Sequence, residues 1–151
     1  MAVINSRAIA NGAPIPGFGA GGGQIRTQYT TVDVPVGATT TDTMPLFYLP
    51  DNAIVQAIKV KSTALGGATS IIIGDGGFGA VAADNDRYLV ANNVTTAGGV
   101  TTTAIAATGT FFRTRGSANR LLVVMAFSAG TVATAGTVEV NLSYTVEEPQ
   151  Q

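Results

Sequence analysis

The residue types that most often carry out catalysis are missing from this sequence. Its 151 residues include no cysteine and no histidine. Without cysteine there are no disulfides, thiolate nucleophiles or zinc–cysteine sites. Without histidine the commonest general base and metal ligand is missing, which excludes Ser-His-Asp and Cys-His catalysis and histidine-bound zinc. We therefore expect a protein that is not an enzyme and that holds no cofactor.

The acidic pair Asp84 and Asp86 is the strongest candidate for binding a cation or for acid–base chemistry. Carboxylate oxygens suit Ca²⁺, but Val90 and Thr95 stand where an EF-hand loop would place further ligands. On an extended strand the two carboxylates would lie about 6–7 Å apart on one face, which does not exclude glycosidase geometry. We interpret the pair as a solvated acidic loop and leave open whether it binds a cation.

Three glycines, Gly74, Gly76 and Gly79, match the G-x-G-x-x-G spacing of a dinucleotide-binding turn. The rest of that motif is missing, because no long helix follows, strands and helices do not alternate, and no acidic residue lies about 20 positions further on. The stretch also lacks the Lys-Ser/Thr pair of a phosphate-binding loop. We predict a glycine-rich loop from residue 74 to residue 79, without a cofactor.

The one cationic cluster follows two aromatic residues, in the segment Phe111-Phe112-Arg113-Thr114-Arg115. Aromatic and cationic side chains together can bind single-stranded nucleic acid. The net charge is −1, however, so no overall field attracts nucleic acid. We expect no nucleic-acid partner, and we predict that Arg113 and Arg115 pair with carboxylates of this protein or of a partner protein.

The composition favours extensive contact with other subunits. Charged residues make up 11% of the chain, against about 25% in an average domain. Alanine, glycine and threonine contribute 23, 19 and 21 residues, and a surface of such side chains costs little entropy to immobilise. A threonine-rich β domain without partners would have the same composition, so this observation leaves both interpretations open.

No membrane or secretion signal is visible. No apolar run approaches the roughly 18 residues of a membrane span, and Gly/Pro-rich sequence follows Met1–Ala10 where a signal peptide would be apolar. We expect no membrane partner and a protein that acts inside the cell that makes it or leaves that cell by lysis.

The first 28 residues are predicted to be an extended arm. Their Gly/Pro-rich stretch cannot propagate a helix or a regular strand. Apolar residues nevertheless recur at intervals, which suggests that the arm lies on a neighbouring subunit; a disordered tail is the alternative. The candidate contact residues of the arm are Ile4, Ile9, Ile15, Phe18 and Ile25. A β domain over residues 29–147 and a short tail over 148–151 complete the predicted organisation.

Two segments alternate as strands with one buried face. After the turn Pro50-Asp51-Asn52, the strand 53–62 is predicted to carry Ile54, Gln56, Ile58 and Val60 on one face and Val55, Ala57, Lys59 and Lys61 on the other. Lys59 and Lys61 are the residues of this strand that we expect to meet a partner. The strand 137–146 alternates without a break, from Val138 to Val146.

Further strands are predicted at residues 24–36, 44–49, 70–73, 100–114 and 120–128. The first changes its apolar phase near Thr31, which indicates a bulge or two short strands. Pro45 favours an edge position or a strand start for the second. The last is apolar throughout, which indicates burial on both faces. We predict a short helix or an irregular excursion between residues 80 and 93. Short strands with glycine-containing turns and at most one short helix indicate an all-β, antiparallel β-sandwich.

Two of these segments resemble a known family. The segment Tyr48-Leu49-Pro50-Asp51-Asn52-Ala53-Ile54-Val55 and the strand Val140-Asn141-Leu142-Ser143-Tyr144 are similar to those of the head decoration proteins of tailed bacteriophages. The likeness extends diffusely from Tyr29 to Val146, while the long arm and the segment 95–110 depart from it. It implies a jelly-roll-like sandwich that assembles, often as a homotrimer, on the outside of a major capsid protein shell, without an enzymatic site.

The resulting hypothesis is a virion structural protein, made in the host cytoplasm, that decorates a capsid exterior and stabilises the shell. The alternative is a carbohydrate-binding module of a phage fibre or adsorption structure. That alternative has little aromatic surface available for stacking on sugar rings, since the chain has no tryptophan and four tyrosines.

Overall fold

A computed structural model describes residues 25–77, 82–103, 105–106, 109, 114 and 121–146 of the chain. Within them lie eight strands: β1 (Ile25–Val34), β2 (Thr43–Leu49), β3 (Ala53–Ser62), β4 (Ser70–Asp75), β5 (Asp84–Asn92), β6 (Gly99–Thr103), β7 (Leu121–Ala129) and β8 (Gly136–Val146). One helical turn, α1 (Val94–Ala97), separates β5 from β6. No helix among these residues is long and apolar enough to cross a membrane.

The strands form two antiparallel four-stranded sheets. The first sheet has the order β1-β8-β3-β6 and the second has the order β2-β7-β4-β5. The pairing is nested, because β1 pairs with β8, β2 with β7, β3 with β6 and β4 with β5. An eight-stranded double sheet wound in this way is a jelly roll, which confirms the predicted fold class.

The core lies between the inner faces of the two sheets. A single cluster of buried apolar side chains fills it, and each large member contributes roughly 1.5–3 kcal/mol relative to exposure. Strand β8 contributes the most regular set, with every second residue buried, so its predicted alternation is confirmed. The inward-facing residues of β8 are Val138, Val140, Leu142, Tyr144 and Val146.

The predicted bulge near Thr31 is wrong. The ladder between β1 and β8 runs without a register shift from Ile25↔Thr145 to Val34↔Gly136. The apolar phase changes because the first half of β1 points its polar residues inward and leaves Ile25 and Tyr29 exposed. β1 also starts inside the range 1–28 that was assigned to the arm; residues 1–24 lie outside the described residues.

A bulge occurs instead in β3. The register between β3 and β8 shifts between Val55 and Ala57, which leaves Gln56 as the extra residue. Val55 is therefore buried opposite Tyr144, and Gln56 is exposed. The predicted face that grouped Gln56 with Ile58 is corrected by this shift, while Lys59 and Lys61 do face outward as predicted.

The predictions for two strands of the second sheet hold in most respects. β2 is an edge strand, and its register against β7 shifts between Pro45 and Phe47, where the proline has no N–H to donate. β7 lies inside the sheet between β2 and β4. Its outward residues Leu122 and Val124 are half-buried, so β7 is only partly covered on that side.

The prediction for residues 80–93 is wrong, because Asp84–Asn92 form strand β5. This segment pairs with the edge of β4 that β7 leaves open. The pairing outweighs the local helix propensity of Ala, Arg and Leu. The helical turn follows at α1. Of the predicted strand 100–114, residues 99–103 form β6, while Ile105, Ala106, Gly109 and Thr114 lie outside any strand.

Candidate interaction face

The outward side of the first sheet brings together side chains from its four strands. We call it the outer face. Register places Tyr29 of β1 opposite Asn141 of β8, and Asn141 opposite Lys59 of β3. The next row continues across β6, in the order Thr31, Glu139, Lys61 and Val100. Neighbouring strands lie about 4.8 Å apart, so the two rows form one continuous surface patch.

Several polar groups of the outer face bind one another. Lys61 Nζ of β3 lies 3.1 Å from Glu139 Oε1 of β8, and within β1 Thr31 Oγ1 donates to Tyr29 Oη at 3.2 Å. The hydrogen bond from Lys61 lowers the pKa of the Glu139 carboxyl below its ordinary value. Toward the other end of the sheet, two further pairs are made, Thr27 with Ser143 and Gln56 with Thr145.

Lys59 differs from these residues, since no carboxylate of the described part of the chain lies within ion-pair distance of its ammonium group. It lines a groove of about 230 Å³ together with Tyr29, Lys61, Val100, Glu139 and Asn141. The groove thus contains an aromatic ring, an amide, an ion pair and a cation that pairs with no carboxylate of the described residues.

Exposed apolar side chains border the same face. Ile25 is 70% exposed, Tyr29 57% and Val100 56%. Ile25 was predicted to contact a partner as the last anchor of the arm, and it stands at the start of β1 with its side chain open to solvent. The other predicted anchors (Ile4, Ile9, Ile15 and Phe18) and the two arginines (Arg113 and Arg115) lie outside the described residues.

Sequence reasoning found Lys59 and Lys61 but missed Tyr29, Val100, Glu139 and Asn141. The alternation of residues 137–146 already placed Glu139 and Asn141 on the polar face of their strand. What joins them to Lys59 is the pairing of β8 with both β1 and β3. The residue pattern within one strand does not show which other strands it pairs with.

The acidic pair occupies a different part of the molecule, at the start of β5. Asp84 accepts a hydrogen bond from the Asp86 backbone N–H, and its carboxylate lies 3.6 Å from Arg87 Nη1. A hydrogen bond with Asp84, burial and the like charge raise the pKa of Asp86. Arg87 also pairs with the fully buried Asp75. Among the described residues, no group of three or more acidic side chains is arranged to hold a metal ion.

The glycine motif is partly strand rather than loop. Gly74 and Asp75 belong to β4, and the chain leaves the strand at Gly76; Gly79 lies outside the described residues. A Cβ at Gly74 would lie 2.0 Å from the backbone oxygen of Asp84. The glycine is therefore needed for close packing of β4 against β5, which accounts for it without a nucleotide.

Thr114, which no sequence pattern singled out, holds the turn between β2 and β3. Its hydroxyl donates to Pro50 O at 2.6 Å and accepts from Ala53 N at 2.9 Å. Its backbone oxygen accepts from Asn52 N at 2.6 Å, and its backbone N–H donates to Ala53 O at 3.1 Å. The segment that carries the family resemblance is thus fixed by a residue more than 60 positions away in the sequence.

The two nested sheets and the outer face define an eight-stranded jelly-roll protein with a polar, weakly charged sheet surface. Two solved structures contain chains of similar fold. A chain of the cyanophage Pam1 capsid asymmetric unit is 22% identical, with a TM-score of 0.66, over 88% of this chain and 91% of that chain. A chain of the capsid of Ralstonia phage GP4 is 20% identical, with a TM-score of 0.71, over 97% of this chain and 99% of that chain.

No protein-family model and no curated protein sequence matches the chain. At identities of 20–22% the likeness to the two capsid structures is a likeness of fold.

Proposed function

We propose that this protein is a structural component of a phage virion that binds the outer surface of the capsid as a decoration, or cement, protein. The observation that carries the proposal is the shared jelly-roll fold, which extends over 97% of this chain and 99% of a chain from a phage capsid. A match along almost the whole of both chains favours a similar place in a similar assembly.

The surface chemistry supports an assembly role. The outer face includes short threonine, serine and asparagine side chains, and Thr27 and Thr145 bind Ser143 and Gln56 across strands. Such side chains lose little conformational entropy when a partner covers them. Each contact can then be modest, because many copies on one shell multiply its effect.

The proposed partners are the major capsid protein and further copies of this chain, assembled as a homotrimer. Contacts across capsomer boundaries would stabilise the shell, and the arm with Ile4, Ile9, Ile15 and Phe18 would be the tether. The protein would act on the capsid exterior after synthesis in the host cytoplasm, without a catalytic site or cofactor.

The test is sedimentation of the purified protein with undecorated heads of the phage that encodes it. We expect saturable binding, and we expect decorated heads to withstand higher temperature before releasing DNA. Size-exclusion chromatography with light scattering should give the mass of three chains. A protein that stays in the supernatant at micromolar concentration, as a compact monomer, contradicts the proposal.

The carbohydrate-binding alternative has one observation in its favour. Tyr29 is exposed beside the Asn141 amide in the groove of the outer face, and aromatic stacking with amide hydrogen bonds is a way to bind sugars. Specific signal on a glycan array, together with failure to bind heads, would favour this function over capsid decoration.

A further inference from the structure

We propose that the groove of the outer face receives a carboxylate side chain of the partner protein, with Lys59 as its counter-ion. The inference rests on the proposed function, since the partner surface is that of the capsid. It adds the site of contact on this chain and the chemistry of the group that is bound.

The charge balance of the groove leaves one cation to be neutralised. Four cationic side chains lie within the described residues: Arg26, Lys59, Lys61 and Arg87. Lys61 pairs with Glu139, Arg87 pairs with Asp75 and Asp84, and Arg26 also has an interaction partner. Lys59, by contrast, has no carboxylate partner among the described residues. Charged residues make up only 11% of the chain.

The neighbours of Lys59 fit a carboxylate. Asn141 lies directly opposite Lys59 in the register, and its amide supplies N–H donors that a carboxylate oxygen accepts. The ring of Tyr29 and the side chain of Val100 line the same groove. An apolar border excludes water from an ion pair and thereby strengthens it relative to an open surface.

The net charge of the groove disfavours a group with two negative charges, such as a phosphate monoester. Lys61 is already neutralised by Glu139, so the groove carries a net charge close to that of Lys59 alone. The second negative charge of such a group would find no unneutralised cation among the described residues of the groove, and the Glu139 carboxylate would repel it. A single carboxylate, the side chain of Asp or Glu, matches the groove in charge.

The backbone holds this arrangement in place before any partner binds. Lys59 and Asn141 are on β3 and β8, two strands inside the sheet, and Tyr29 is on β1, which pairs with β8. Strand pairing fixes the backbone positions of these residues, so only their side chains need to be ordered upon association.

The test measures binding of full-length variants to undecorated heads. Lys59→Gln removes the charge and keeps most of the side-chain length, so we expect about tenfold weaker binding, the effect of losing one charge-assisted hydrogen bond. Lys59→Arg should keep most of the affinity. The matched control is Val90→Glu, which changes the net charge by the same amount at an exposed position of the second sheet, and it should bind as the wild type does.

A second measurement identifies the partner group. Heads whose surface carboxylates have been converted to neutral amides with carbodiimide and glycinamide should bind the wild type about tenfold more weakly. They should bind Lys59→Gln no worse than unmodified heads do. If Lys59→Gln binds untreated heads like the wild type, or if Val90→Glu loses as much affinity, the inference is wrong while capsid decoration stands. If the wild type does not bind heads at all, both proposals fall.

Discussion

At the scale of single residues, Thr114 makes four hydrogen bonds to one turn. It is 3% exposed, and both its hydroxyl and its backbone bind the turn Pro50–Ala53. That turn contains Asn52 at a positive φ of 59°, a conformation in which asparagine is one of the few favourable residues. Thr114 therefore supports this turn through both its side chain and its backbone.

Thr114→Val should destabilise the protein by about 2–4 kcal/mol, because Pro50 O and Ala53 N each lose a buried hydrogen-bond partner while the volume is unchanged. Urea unfolding followed by circular dichroism measures this. Thr114→Ser keeps the hydroxyl and should cost about 1 kcal/mol or less, the value of one methyl group. Equal losses for the two variants would show that packing, and not hydrogen bonding, holds the turn.

Two buried tyrosines predict a limit to stability at alkaline pH. Burial, followed by the negative charge of Asp75, raises the pKa of Tyr88, and burial raises the pKa of Tyr144. The unfolded chain ionises its tyrosines near pH 10, so the stability these groups contribute is present below about pH 10 and is lost as the pH rises further.

We expect Tyr88→Phe to move the midpoint of alkaline unfolding to higher pH, since one group fewer ionises on unfolding. The measurement is circular dichroism together with absorbance at 295 nm between about pH 9 and pH 12. If the 295 nm difference between wild type and Tyr88→Phe develops while both remain folded, Tyr88 ionises in the native state and the prediction fails.

The sequence allowed prediction of residue orientation only where a strand alternates without interruption. Lys59 and Lys61 were placed outward correctly, since each alternates with a buried residue beyond the bulge in β3. Tyr29 was not recognised as a surface residue of the same patch. Its position depends on a ladder between strands at the two ends of the chain, which no local pattern contains.

At the scale of secondary structure elements, β5 depends on a glycine in its neighbour. At Gly74 the backbone of β5 lies close to β4, because a Cβ there would lie 2.4 Å from the carbonyl carbon of Asn85. Close approach of two backbones is a common reason for glycine inside a strand.

Gly74→Ala should therefore cost about 3 kcal/mol, at the upper end of the usual penalty for overpacking, because β5 must move away from β4. Gly76→Ala is the matched control: its added Cβ would approach nothing closer than Leu122 O at 3.9 Å, and its stability should stay within about 1 kcal/mol of wild type. Thermal unfolding of both variants measures the two stabilities, and equal stabilities would contradict this role of Gly74.

The predicted helix near residues 80–93 shows why some elements could not be inferred. Ala, Arg and Leu favour a helix locally, yet the unpaired edge of β4 offers backbone hydrogen bonds along its length. The register between β4 and β5 shifts twice, so β5 lacks the strict alternation that would have indicated a strand. The prediction that Gln56 and Ile58 share a face was wrong for the same reason, because the bulge in β3 changes the alternation of the strand at Gln56.

At the scale of the whole molecule, the eight described strands, from Ile25 to Val146, form the two sheets and enclose one apolar core. We expect deletion of residues 1–24 to leave a folded domain with an unchanged urea midpoint that binds heads poorly. A full-length variant with serine at Ile4, Ile9, Ile15 and Phe18 distinguishes apolar anchoring from simple chain length. Wild-type affinity in the deletion variant would refute the tether.

The position of β8 has a consequence for how the protein is made. This strand is the last of those described, yet it lies between β1 and β3, and its contacts with β1 join residues 116 positions apart, such as Thr27 and Ser143. Contacts of such long range make folding slow, on the scale of milliseconds to seconds. The first sheet therefore cannot form before β8 has been synthesised, and a chain that ends before Gly136 lacks the strand that joins β1 to β3. Such a chain cannot present the outer face.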